Sequence, residues 1–215
     1  MEATISADII SSTSLEPGKL KKITEGFEIF NSYYKNLIKG FWGRVVKGDY
    51  IECYIPDARA GLRIALSLKT LVKSYLGEKA GDKEFQMYGI RIAIGVGQMR
   101  VHDEESQMLD GDAIYLSGRT LEKKSLPVKG TMHLVTSSPD RDAPMMALCQ
   151  LVDALINDAN FHRCRTIYYK LQRLSEKEIG EKLGKKSAGI YQMLSKSHWY
   201  AIDAAIKSFE KYNFD

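Results

Sequence analysis

Two aspartates and one short basic segment hold the residues best suited to chemistry in this chain. Asp8 lies in an otherwise apolar stretch, Ile5 to Ile10, and Asp49 sits in the Lys47-Gly48-Asp49 step between two β-prone runs. A first strand lying beside that hairpin brings both carboxylates to one end of a sheet. Carboxylates there suit Mg²⁺, which takes one or two protein carboxylates and fills its shell with substrate phosphates and water. A pair of such ions also activates a hydroxyl and stabilises a leaving pyrophosphate. The plain alternative is that Asp49 is an ordinary turn residue and Asp8 a strand-end cap.

The basic segment lies between Ser175 and Lys196. Glu178-Ile179-Gly180 precedes Leu183-Gly184, and Ser187, Ile190 and Leu194 follow. That is the order of a helix-turn-helix. Gly180 lets two helices approach, Gly184 ends the first in a left-handed conformation, and Ser187 caps the second. Ile179, Leu183, Ile190 and Leu194 hold the pair together, which leaves Ala188, Gly189, Tyr191 and Gln192 outward. With the second helix in a major groove, Tyr191 and Gln192 reach base edges. Lys185, Lys186 and Lys196 meet phosphates, reinforced by Arg163, Arg165 and Arg173. The competing reading is a plain helical hairpin packed on the rest of the chain. The run Gly180 to Ser187 is not a P-loop, because that motif needs four residues between its glycines and a preceding strand.

The elements that must position these residues fall into two groups. Ala3 to Ile10, Phe41 to Val46, Tyr50 to Ile55, Tyr88 to Val96 and Thr131 to Thr136 read as strands, the fourth the most hydrophobic and so central. Pro17 to Ile38, Asp57 to about Leu76 and Ala113 to Lys124 read as helices. This α+β order predicts a ferredoxin-like sheet with helices on one face. Beyond Ser138-Pro139 the vocabulary turns helical, with segments near 142–158, 161–173, 176–183, 187–195 and 198–212. The predicted division is 1–140, an α+β domain, and 141–215, an all-α segment containing the helix-turn-helix.

Composition narrows the classes. The 215 residues carry 31 Lys+Arg and 27 Asp+Glu. Residues 161–215 hold 11 basic and 6 acidic side chains, a net of +5, while the other 160 residues net −1. Such asymmetry suggests nucleic acid or another acidic partner for that end. Cys53, Cys149 and Cys164 are scattered, as are the four histidines, which argues against a disulfide framework or structural zinc and for inert buried thiols. Apolar runs such as Ile92 to Val96 fall far short of the ~20 residues of a membrane span. With no secretory-type start, the expectation is cytoplasmic. Tyr33, Tyr34, Tyr168 and Tyr169 read as packing residues rather than a stacking platform.

Ser6-Ala7-Asp8-Ile9-Ile10-Ser11-Ser12-Thr13, then Gly48-Asp49, then Arg91 to Gly97, then Gly111 to Arg119 follow the motif order of class III nucleotidyl cyclase catalytic domains. The resemblance covers roughly residues 3–137. The whole chain also resembles the small bacterial SatD-type proteins. The cyclase resemblance implies that Asp8 and Asp49 hold Mg²⁺ or Mn²⁺ with a nucleoside triphosphate, that Arg119 meets its phosphates, and that two domains pair. A homodimer would match a palindromic DNA site. The sequence departs from the family at several positions. Tyr115 replaces the family's asparagine. Val45 stands where a purine-selecting lysine belongs, with Arg44 and Lys47 out of register. Met108 takes the place of the base-selecting acid, with Asp110 two residues on. Loss of a donor aimed at transition-state charge costs roughly 10²–10³ in rate. These departures point to a damaged or repurposed site. The leading expectation is a DNA-binding regulator whose cyclase-like domain senses a nucleotide or mediates dimerisation. A divergent cyclase or metal-dependent nucleotidyl transferase is the first alternative and a protein-interaction adaptor the second.

Overall fold

The computed structural model describes residues 1–75, 83–122 and 130–215. Along the chain come β1 (Glu2–Ile9), α1 (Pro17–Leu37), β2 (Trp42–Lys47), β3 (Tyr50–Ile55), α2 (Gly61–Ser74), α3 (Lys83–Tyr88) and β4 (Ile90–Gly97). They are followed by β5 (Met99–Asp103), β6 (Met108–Gly111), α4 (Asp112–Glu122), β7 (Met132–Thr136) and α5 (Pro139–Asp158). Four helices complete the chain: α6 (Phe161–Leu171), α7 (Glu176–Leu183), α8 (Ser187–Lys196) and α9 (Trp199–Lys211). None of the described helices is long and apolar enough to cross a membrane. The expected helix ends at Leu76 and Lys124 lie outside the described residues.

β1 is the organising strand. It pairs antiparallel with β3 on one side and β4 on the other, β3 pairs antiparallel with β2, and β4 pairs parallel with β7. The result is an α+β protein with a mixed five-stranded sheet in the order β2-β3-β1-β4-β7. A two-residue period sends Ala3, Ile5, Ala7 and Ile9 to one face and Thr4, Ser6 and Asp8 to the other. The apolar face meets α1 and α2, where Phe27, Phe30, Leu62 and Leu66 are buried. A Cβ on Gly61, at the start of α2, would lie 3.2 Å from Ile94 Cγ2.

The helices do not all lie on one face, as the sequence suggested. Gly95, next to Ile94 and so on the opposite face, leaves room for α4, since a Cβ there would collide with the Ala113 carbonyl. Ser117 of α4 shares hydrogen bonds with Thr4 Oγ1 (2.9 Å) and Ser6 Oγ (2.8 Å). This face of β1 is small and hydroxylated because a helix backbone approaches it closely. The β5–β6 hairpin, absent from the sequence reading, covers the neighbouring strands. His102 stacks on Tyr54 with ring centres 4.4 Å apart, and Arg44 donates to the Gln107 carbonyl.

The core does not divide near residue 141. One hydrophobic cluster joins Ile5, Ile94 and Leu62 to Cys149, Ile156, Ile167, Ile202 and Phe209, so α5, α6 and α9 pack with the sheet unit. α2 lies between the sheet and α6 and is buried on almost every side. Its two lysines make polar joints to α5. Lys69 Nζ lies 2.7 Å from Asp153 Oδ1, and Asp153 Oδ2 accepts the Thr131 N–H at 2.7 Å and the Met132 N–H at 3.1 Å. Lys73 Nζ donates to the carbonyls of Met87, Ile156 and Asn157. Among the described residues, only Ile179, Ile190 and Leu194 form a separate small cluster, that of α7 and α8.

Candidate nucleic-acid interface and the carboxylate end of the sheet

The α7–α8 pair is built as the spacing suggested. Ser175 Oγ accepts the Glu178 N–H (3.3 Å) and Glu178 Oε2 accepts the Ser175 N–H (2.8 Å), a reciprocal box that starts α7. The Ser175-x-x-Glu178 order in the sequence encodes this box. Gly184 takes the left-handed conformation, φ 62°, and ends α7. Gly180 is required by close approach, because a Cβ there would stand 2.5 Å from the Lys185 carbonyl oxygen. Ile179, Ile190 and Leu194 are buried between the helices, with Leu183 partly buried against them.

This leaves a surface on α8 without structural duty. Lys185, Lys186, Ser187, Gln192 and Lys196 are exposed, and Tyr191 is 68% exposed. Ser187 is not the cap. It is the first residue of α8, the N-cap is Lys186, and no side chain caps the helix. The opening turn therefore presents two lysines beside uncapped backbone N–H groups, an arrangement favourable to anions. The three arginines expected as reinforcement do not gather here. Arg163 is tied to the carbonyls of Lys196 (3.1 Å) and Asp158, which fastens the end of α8 to α6. Arg165 turns toward α1, and Arg173 lies near Arg63 and Lys207.

At the other candidate site, Asp8 and Asp49 do share one end of the sheet. Asp8 is opposite Tyr50 in the β1–β3 register, and the Ile9 N–H donates to the Asp49 carbonyl at 3.2 Å. Each carboxylate is already engaged. Asp8 is opposite Arg91 on β4 and forms an ion pair with it, and Asp49 accepts a hydrogen bond from Ser12 Oγ. The sequence reading gave Arg91 no role beyond its place in the Arg91 to Gly97 run, although a cation near the start of the most hydrophobic strand is a visible signal. A guanidinium thus stands against Asp8 where a metal ion would bind. Among the described residues no group of three His, Cys, Asp or Glu side chains converges as a metal site.

The other residues singled out from the sequence are engaged as follows. Val45 is opposite Ile51 and packs toward the core, on the face away from Asp8. Arg44, its neighbour, faces the other way and pairs with Glu52 at 2.6 Å. Tyr115 donates to Asp110 Oδ1 (2.7 Å), and Asp110 also pairs with Arg100 (2.9 Å). The hydrogen bonds from Arg100 and Tyr115 hold the Asp110 carboxyl down at about 2. Arg119 is exposed on α4 with its guanidinium 5.3 Å from the centre of the Tyr115 ring. The three cysteines are buried, and burial pushes Cys164 up to about 11 and Cys149 up to about 12.

Comparison with protein-family models, with curated proteins and with solved structures gives no match to this chain.

Proposed function

We propose that this chain is a DNA-binding regulator in which α7 and α8 form a helix-turn-helix and α8 enters the major groove. The observation that carries the reading is the opening of α8. Lys185 and Lys186 immediately precede an uncapped helix start, while Tyr191 and Gln192 stand outward on the same short helix. Those cations meet phosphates, and the outward polar side chains meet base edges. The sheet unit supports the second part of the proposal. Its first four strands stand in the order β4-β1-β3-β2, which we read as the ferredoxin-like arrangement that the resemblance to class III nucleotidyl cyclases implies. In this reading it mediates homodimerisation, which spaces two α8 helices for a two-fold DNA site.

A metal-nucleotide role for the same unit is the second reading, favoured by Asp8 and Asp49 sharing one sheet end. The donor chemistry suits Mg²⁺ or Mn²⁺. The arrangement does not, because Arg91 neutralises Asp8 and Tyr115 holds Asp110 instead of offering an amide. Binding of a metal-triphosphate at Asp8, Asp49 and Arg119 would require Arg91 to leave Asp8.

Retention of random genomic DNA fragments by the purified protein, at low and moderate salt, tests the first reading. Enrichment of particular fragments that survives moderate salt is the expected result. Uniform retention that vanishes with salt would reduce the α8 surface to a basic patch and overturn it. Pyrophosphate release from a nucleoside triphosphate, lost in Asp8→Asn, would promote the second.

A further inference from the structure

A groove of about 600 Å³ opens between α1, α2, α6 and α7, on a different part of the molecule from Asp8 and Asp49. Three cations converge on it from three helices: Lys22 from α1, Arg165 from α6 and Lys182 from α7. Among the described residues none of the three forms an ion pair within 4 Å, although Glu178 lies near enough for Lys182 to act on it, and no Asp or Glu lines the groove. Glu25, near enough to act on the Tyr75 hydroxyl, pairs instead with Lys21 at 3.9 Å. Like charges gathered around one concavity repel, and their field there favours an anion.

The walls between the cations are aromatic, formed by Tyr75, Phe161 and Tyr169. Lys182 Nζ lies 5.8 Å from the centre of the Tyr169 ring. Gly26 of α1 makes the space in which the Tyr75 ring lies, since a Cβ there would collide with that ring. Tyr34 and Tyr168 are buried packing residues, as the sequence suggested. Tyr169 is half-buried and turns toward the groove, so it has a face to offer.

We propose that this groove binds a small organic anion carrying a flat aromatic ring. The ring is covered by Tyr75, Phe161 and Tyr169, which present large apolar faces. Its acidic group meets Arg165, whose planar fork matches a carboxylate, sulfonate or phosphate, with Lys22 and Lys182 adding charge. Lys182 belongs to α7, so the occupant touches both the sheet unit and the α7–α8 pair. The site stands on its own lining and does not depend on whether α8 binds DNA.

Calorimetric titration of the full chain with 8-anilinonaphthalene-1-sulfonate, a flat aromatic anion, tests the site. One equivalent should bind, and Arg165→Gln and Lys182→Gln should each weaken it about fivefold. Tyr169→Leu should also weaken it. The same rings without the sulfonate, as N-phenyl-1-naphthylamine, should bind at least about tenfold less tightly. Melting curves matching the parent show that the variants are folded, as expected for the exposed Arg165 and Lys182, whereas Tyr169 packs against both apolar clusters and its replacement by Leu keeps an apolar side chain there. Unchanged affinity in both cation variants, equal binding of the neutral compound, or no heat up to about 1 mM would overturn the proposal.

Discussion

Helices α5 and α7 both follow the last strand of the sheet, yet they are held by opposite means. α5 is joined to the sheet unit by buried charge: Asp153 receives Lys69 and two backbone N–H groups, and the end of α5 gives two carbonyls to Lys73. α7 is started by an exposed capping box and held to α8 by three apolar side chains and a glycine contact. A buried ionic joint is sensitive to every atom in it, because an unpaired charge in the interior is far costlier than the pair. A small apolar cluster tolerates change around it. The helical stretch after β7 therefore divides into a part that completes the core and a part whose outer surface is free to serve a partner.

The largest effect should come from breaking the joint. Asp153→Ala leaves the Lys69 ammonium buried and the N–H groups of Thr131 and Met132 without an acceptor. It should cost about 3–5 kcal/mol in denaturant unfolding. A loss below about 1 kcal/mol would mean that the joint is not a structural difference between the two regions.

Lys73 gives the joint a pH signature. Burial lowers its ammonium from the ordinary 10.5 to about 8. Between those values the folded chain has shed a proton that the unfolded chain keeps, so this group makes stability rise with pH. The gain is on the order of 2–3 kcal/mol across the window. Cys164 opposes it above pH 9, since burial raises its thiol to about 11 and the folded chain then holds the extra proton. The stability of the parent minus that of Lys73→Met, followed from pH 7 to 10, isolates the lysine. A flat difference would show that the three carbonyls fully offset its burial.

Much of the fold was legible because periodicity is local. β1, the β2–β3 hairpin, β4 and the five C-terminal helices follow from alternation, turn residues and helical spacing. The shared core was not, because strand vocabulary ending at Ser138 says nothing about where the next helix packs. One signal was available. α2 is apolar on nearly all sides, and such a helix needs cover on both faces, here the sheet and α6. Lys69 and Lys73, four residues apart in that helix, likewise asked for buried partners. At the carboxylate end, the shared position of Asp8 and Asp49 followed from strand order. The pairing of Asp8 with Arg91 depends on the β1–β4 register, which no local pattern encodes. The β5–β6 hairpin was missed because its strands are short, polar and paired only with each other.

A change inside α7–α8 should disturb that pair and leave the joint intact. Gly180→Val forces a side chain against the Lys185 carbonyl and should open the turn at a cost of about 1–2 kcal/mol. Amide exchange should accelerate in α7 and α8, with α2 and β4 protected as before, because the pair has its own cluster. Acceleration spread evenly through the sheet would show that the two regions unfold as one.

The smallest effect on stability and the sharpest on function is expected at the start of α8. Lys185 and Lys186 are exposed and lie outside every apolar cluster, so replacing both with Ala should change unfolding free energy by no more than about 0.5 kcal/mol. If they meet phosphates, each accounts for nearly one released counterion. The slope of log affinity against log salt should then become shallower by about 2. Base preference should persist in the double variant, since Tyr191 and Gln192 remain, and it should be lost in Gln192→Ala with the slope unchanged. Phosphate contacts position a helix and base contacts specify its site, so the two variants should separate. Equal slopes in the parent and the lysine variant would place the DNA surface elsewhere on the chain.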